Sequence, residues 1–86
     1  MSYAISLGKK ARKFLDNLTD ARLRSRIVEA IDSLAENPRP MGCKLLKASE
    51  GIHRIRVGDY RILYLTQQER LLVLVVSIGN RKDVNR

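Results

Sequence analysis

The spacing of apolar residues changes along this chain, and the change divides it into a helical half and a stranded half. Ala11, Phe14, Leu15 and Leu18 recur at i, i+3, i+4, i+7, the signature of a short amphipathic helix. Lys9, Lys10, Arg12 and Lys13 occupy its other faces. A second stripe, Leu23, Ile27, Ile31 and Leu34, is widened by Val28, Ala30 and Ala35. Asp16-Asn17 and Thr19-Asp20 frame the turn between the two, with Thr19 or Asp20 placed to cap the second helix. Asn37-Pro38 ends that helix, because the residue before proline avoids the α region. So short a connection predicts an antiparallel helical hairpin.

Beyond residue 51 the period is two. His53, Ile55 and Val57 alternate with Ile52, Arg54 and Arg56; Gly58-Asp59 turns the chain; Tyr60, Ile62 and Tyr64 then alternate with Arg61, Leu63 and Leu65. A second turn near Thr66 to Arg70 leads into Leu71–Ile78, too apolar for an edge strand with a wet face and therefore predicted to be central. Residues 2–7, SYAISL, suit a short strand that Gly8 breaks, and residues 37–50, NPRPMGCKLLKASE, read as a connector. The expected architecture is α+β in the order β-α-α-β-β-β. An antiparallel meander and an N-terminal strand carry the helical hairpin on one face, all in a single domain, residues 1–86.

Strand parity gives the meander an unusual face. If His53, Ile55, Val57, Tyr60, Ile62 and Tyr64 point to the helices, Arg54, Arg56 and Arg61 point away. Lys44 and Lys47 precede the first meander strand, and Arg81 follows the last just after Gly79-Asn80, placed to curl back over that face. Arginines on an open sheet face often serve only as solvated residues that blunt aggregation. Here they form a basic surface with few acids, suited to phosphates held by guanidinium forks.

Charge strengthens the second reading. The 86 residues carry a formal net charge of +8. Residues 1–38 hold seven Lys or Arg against five Asp or Glu, and residues 39–86 hold ten against four, so the excess lies with the strands. Such an excess favours an anionic partner. One cysteine, Cys43, and one histidine, His53, exclude an internal disulfide and a structural zinc site. No apolar run approaches the ~20 residues that span a bilayer, and no signal-like segment opens the chain, so a cytoplasmic protein is expected.

The run from Gly42 to Val84, GCKLLKASEGIHRIRVGDYRILYLTQQERLLVLVVSIGNRKDV, resembles the RelE/ParE superfamily of toxins from bacterial toxin–antitoxin pairs. The specific marks are CKLLKASEGIHRIRVGDYRILY, the apolar strand, and IGNRKDV. Members of the RelE branch are ribosome-dependent endoribonucleases that cut mRNA in the decoding site, and those of the ParE branch poison DNA gyrase. IRVGDYRILY and IGNRKDV resemble the RelE branch more closely. The resemblance implies transition-state arginines at Arg61 and Arg81, and contacts to the RNA backbone and scissile phosphate from Arg56 and Arg54. Lys44, Lys47 and Lys82 would add phosphate binding. It implies no cofactor and no metal, with a cognate antitoxin, the ribosome and mRNA as partners. Asn80 stands where the family often has histidine, and Asn85 where many members carry a catalytic tyrosine. The alternatives are a ParE-like gyrase poison on the same fold and, supported by those departures, a toxin-like protein that only binds RNA or antitoxin.

RNA brings its own nucleophile, the 2′-hydroxyl. A metal-free ribonuclease adds a base for its proton, cations for the phosphorane charge and an acid for the 5′-oxygen. Arg54, Arg56, Arg61 and Arg81 supply the cations. Arginine stays protonated and is a poor base. Lys44 or Lys47 would serve if surrounding positive charge lowered its pKa. His53 has a suitable pKa, but parity directs it, like Tyr60 and Tyr64, toward the core.

Overall fold

The computed structural model describes residues 2–47 and 51–80. In chain order they form β1 (Ala4–Leu7), α1 (Lys9–Asn17), α2 (Ala21–Ser33), β2 (Lys44–Lys47), β3 (Ile52–Val57), β4 (Tyr60–Gln67), a 3-10 turn at Gln68–Arg70, and β5 (Leu72–Asn80). The five strands make one sheet in the order β1-β5-β4-β3-β2. β2 through β5 pair antiparallel, and β1 joins β5 in parallel. β5 is thus internal, as its unbroken apolar run predicts.

The α+β architecture with a helical pair on one sheet face is the expected one, with one strand added. The connector expected over residues 37–50 contains β2, paired with β3 through Lys44↔Arg54 and Leu45↔His53. KLLK hides its strand character because it does not alternate: Leu45 and Leu46 are 53% and 44% exposed, so neither face of this edge strand is buried.

Local chemistry sets the element ends. The Asp20 carboxylate caps α2 by accepting from the N–H groups of Arg22 and Leu23, each at 3.1 Å. β3 and β4 are joined by Gly58-Asp59 between the paired Val57 and Tyr60. Gly58 has φ +59 and Asp59 a negative φ, the pattern of a type II′ turn, whose twist matches the flanking strands.

The core lies between the helices and the sheet. Ala11 and Leu15 of α1, and Ile27 and Ile31 of α2 with Leu34, pack with Ile55, Val57, Ile62, Tyr64, Val73, Val75 and Ile78. One irregularity in β5 decides which side chains reach that core. Tyr64 pairs with Val75 but Leu63 pairs with Ser77, so Val76 is the extra residue of a β-bulge. The bulge reverses parity: Val73 and Val75 face the helices before it and Ile78 after it. Without it Ser77 would enter the core, and Ser77 and Gly79 would leave the open face. Among the described residues no helix is long and apolar enough to cross a membrane.

Candidate functional site

On the sheet face away from the helices, the register assembles two rows. In the first, Arg56 of β3 lies opposite Arg61 of β4, which lies opposite Gly79 of β5. In the second, Arg54 of β3 lies between Lys44 of β2 and Leu63 of β4, and Leu63 lies opposite Ser77. Two residues along a strand separate the rows, about 7 Å. Gly79 places no side chain across from Arg61.

The cations differ in setting. Arg56 and Lys44 are exposed and Arg61 is half-buried. Arg54, expected to stand out from the open face, is instead only 8% exposed. Its Nε is shielded from solvent and has no hydrogen-bond partner among the described residues. A buried donor left in this way costs free energy that a bound anion would recover. Lys47 pairs with Ile52 across β2 and β3. Arg81 and Lys82, with Asn85, lie outside the described residues.

The titratable groups on the other face are held in the core. His53 is 8% exposed, its Nδ1 stands 3.2 Å from the Gly51 carbonyl oxygen, and its ring stacks on Tyr64 at 5.9 Å between centroids. Tyr64 is fully buried and donates its hydroxyl to the Pro38 carbonyl at 2.6 Å. Burial, reinforced by the neighbouring Cys43, pushes that hydroxyl far above the ordinary tyrosine range, with the charge of Arg39 opposing it. Tyr60 packs edge-on against Phe14 of α1, ring centroids 5.7 Å apart. These three residues therefore take the core positions that strand parity predicts for them. Among the described residues no three His, Cys, Asp or Glu side chains are grouped to hold a metal ion.

The family model described as the ParE toxin of the type II toxin–antitoxin system parDE matches residues 5–85. The chain belongs to the RelE/ParE toxin family. Among sequence relatives, this toxin is 28% identical to toxin RelG of Mycobacterium tuberculosis over 86 residues, 100% of this chain and 99% of the relative. It is 27% identical to the putative toxin RelE1 of Methanocaldococcus jannaschii over 85 residues, 95% and 93% of the two chains. Among solved structures, the archaeal RelE–RelB complex from Pyrococcus horikoshii matches with a TM-score of 0.80 and 26% identity, covering 94% of this chain and 97% of that one.

The open face of this toxin has two ends of different character. Before the bulge, Leu74 pairs with Leu65 and Leu65 with Ile52, giving a half-buried apolar row. After it come the arginine rows. What reading the sequence missed is the part played by β5: the small pair Ser77 and Gly79 reaches the arginine face only because Val76 bulges. Their spacing of two, directly after an apolar run, is the one signal that could have found them.

Proposed function

We propose that this toxin of a type II toxin–antitoxin system is an mRNA interferase that binds RNA on the Arg54–Arg56–Arg61 face and cleaves it on the ribosome. The observation that carries the reading is the direct apposition of Arg56 and Arg61 beside the buried Arg54. Two arginines paired across neighbouring strands, in one row with a glycine, suit a group of more than one negative charge. In the proposed step the 2′-hydroxyl attacks the adjacent phosphorus and gives its proton to water, the bond to the 5′-oxygen breaks, and that oxygen takes a proton from water, leaving a 2′,3′-cyclic phosphate and a 5′-hydroxyl. Arg56 and Arg61 stabilise the phosphorane oxygens, which carry more charge than the ground state. Arg54 anchors a phosphate, and Arg81, Lys82, Lys44 and Lys47 contribute further positive charge. Arginine is a poor base, so the chemistry runs mainly on positioning and electrostatics, independently of metal, with the ribosome orienting the strand in the cytoplasm.

A cognate antitoxin is the expected protein partner, since the Pyrococcus horikoshii neighbour is itself a RelE–RelB complex. An acidic, amphipathic chain complements a face that is apolar at one end and cationic at the other, and charge complementarity would speed its capture. Poisoning of DNA gyrase is the second reading, favoured by the ParE description of the matching family model.

Induced expression without antitoxin, followed by mapping of mRNA 5′ ends, tests the proposal. Cuts within translated codons that vanish in Arg61→Ala support it. Intact mRNA with arrested replication would transfer the assignment to gyrase, and growth without arrest would leave a binding protein.

A further inference from the structure

A second basic constellation lies at the far end of β4 from Arg61. An open cleft of about 630 Å³ is lined by Arg39, Thr66, Gln67, Gln68, Glu69 and Arg70. Its walls come from distant parts of the chain, and both are fixed. On one side the Asn37 side-chain oxygen accepts from the Arg39 N–H at 3.1 Å, and the Pro38 carbonyl accepts from the buried Tyr64 hydroxyl at 2.6 Å. The loop carrying Arg39 is thereby tied to the core two residues before Thr66.

On the other side the 3-10 turn is closed by Leu71, whose N–H donates to the Gln68 carbonyl at 3.3 Å and whose carbonyl accepts from Ala4 of β1 at 2.7 Å. Leu71 sits at φ 49, ψ 51. That left-handed conformation is uncommon for a leucine and persists only where the surroundings over-determine it. The cleft is rich in donors: two guanidiniums and two primary amides against the single carboxylate of Glu69. The Thr66 hydroxyl oxygen is shielded and has no hydrogen-bond partner among the described residues.

We propose that this cleft binds a phosphate of a polynucleotide strand, as a contact separate from the arginine face. Guanidinium forks and amide N–H groups match non-bridging phosphate oxygens, and the net charge of +8 draws such a strand in. Arg61 and Gln67 are six residues apart on β4, about 20 Å. A single phosphate cannot touch both sites, so a strand that reaches both spans several nucleotides. The proposal is independent of cleavage at Arg56 and Arg61.

Binding of a trinucleotide and of an oligoribonucleotide of roughly 15 nucleotides to the purified full chain tests it, between about 50 and 200 mM salt. Arg39→Gln and Arg70→Gln, checked for unchanged melting, should each weaken the longer strand several-fold. Each should also lower its salt slope by about 0.7 per lost phosphate contact. Trinucleotide binding, which Arg56→Gln should abolish, stays intact in both. Arg22→Gln removes one exposed charge from α2 and is the control. An equal loss in Arg22→Gln would reduce the effect to net charge and overturn the proposal. So would an unchanged salt slope, or a loss of binding to an acidic peptide without loss of RNA. Failure of Arg56→Gln to affect the trinucleotide would count against the arginine face alone.

Discussion

Arg56 of β3 sits directly opposite Arg61 of β4, with Gly79 of β5 completing the row. Like charges facing each other across strands destabilise a sheet by a few tenths to about 1 kcal/mol. An anion that bridges the two side chains would offset that repulsion. Arg56→Gln should therefore leave the melting temperature unchanged or raise it by a few degrees, while RNA binding and toxicity fall. Thermal melts alongside RNA titrations check both halves. A variant that melts markedly lower would mean the arginine holds the fold and not the ligand.

Arg54 carries the same logic further into the protein. It is 8% exposed, with a shielded Nε that has no partner among the described residues. Arg54→Met keeps much of the side-chain volume and removes the buried charge. It should stabilise the free protein by about 1 kcal/mol and lower the salt dependence of RNA binding by one phosphate contact. Arg54→Lys tests the fork geometry: lysine keeps the charge but cannot hold a phosphate bidentately, so it should recover only part of the affinity.

Tyr64 fastens the loop after α2 to the sheet through its 2.6 Å bond to the Pro38 carbonyl. Tyr64→Phe removes that bond and should cost about 1 kcal/mol. The loss should depend on pH with a definite sign. The hydroxyl pKa is raised in the folded state, first by burial and then by Cys43. Its stabilising contribution is therefore complete below the unfolded-state value near 10 and is lost as pH rises above it, because the unfolded chain then sheds the proton more readily. The gap between wild type and Tyr64→Phe should be constant from neutral pH to about 9 and shrink beyond 10. Melting curves of both proteins across that range decide it, and a gap that widens with pH would refute the assignment.

The helices, the meander and the inward set His53, Tyr60 and Tyr64 were legible because one face of each element is buried and the period follows from that. β2 was not, because KLLK buries neither face and its leucines are adjacent. The bulge at Val76 was not legible either, since Leu72 to Val76 is apolar throughout and a change of parity leaves no mark in such a run. Strand parity assigned Arg54 to the open face correctly but could not show that it would be buried there. Parity fixes direction, whereas burial depends on what packs over the side chain, which a period of two does not encode.

Gly79 allows the fold's needs and the site's needs to be separated in one substitution. A glycine inside a strand is unfavourable, because it loses the most backbone entropy on folding and packs no side chain. Gly79→Val should thus stabilise the sheet by up to about 1 kcal/mol. The new side chain would stand across the strands from Arg61 and compete with that side chain for room beside the Arg56 position. RNA binding should drop about tenfold, the equivalent of one charge-assisted hydrogen bond. Stability and affinity are therefore predicted to move in opposite directions, which loss of folding cannot imitate. A Gly79→Val protein that melts higher and still binds and cleaves like wild type would show that the glycine across from Arg61 has no part in holding the substrate.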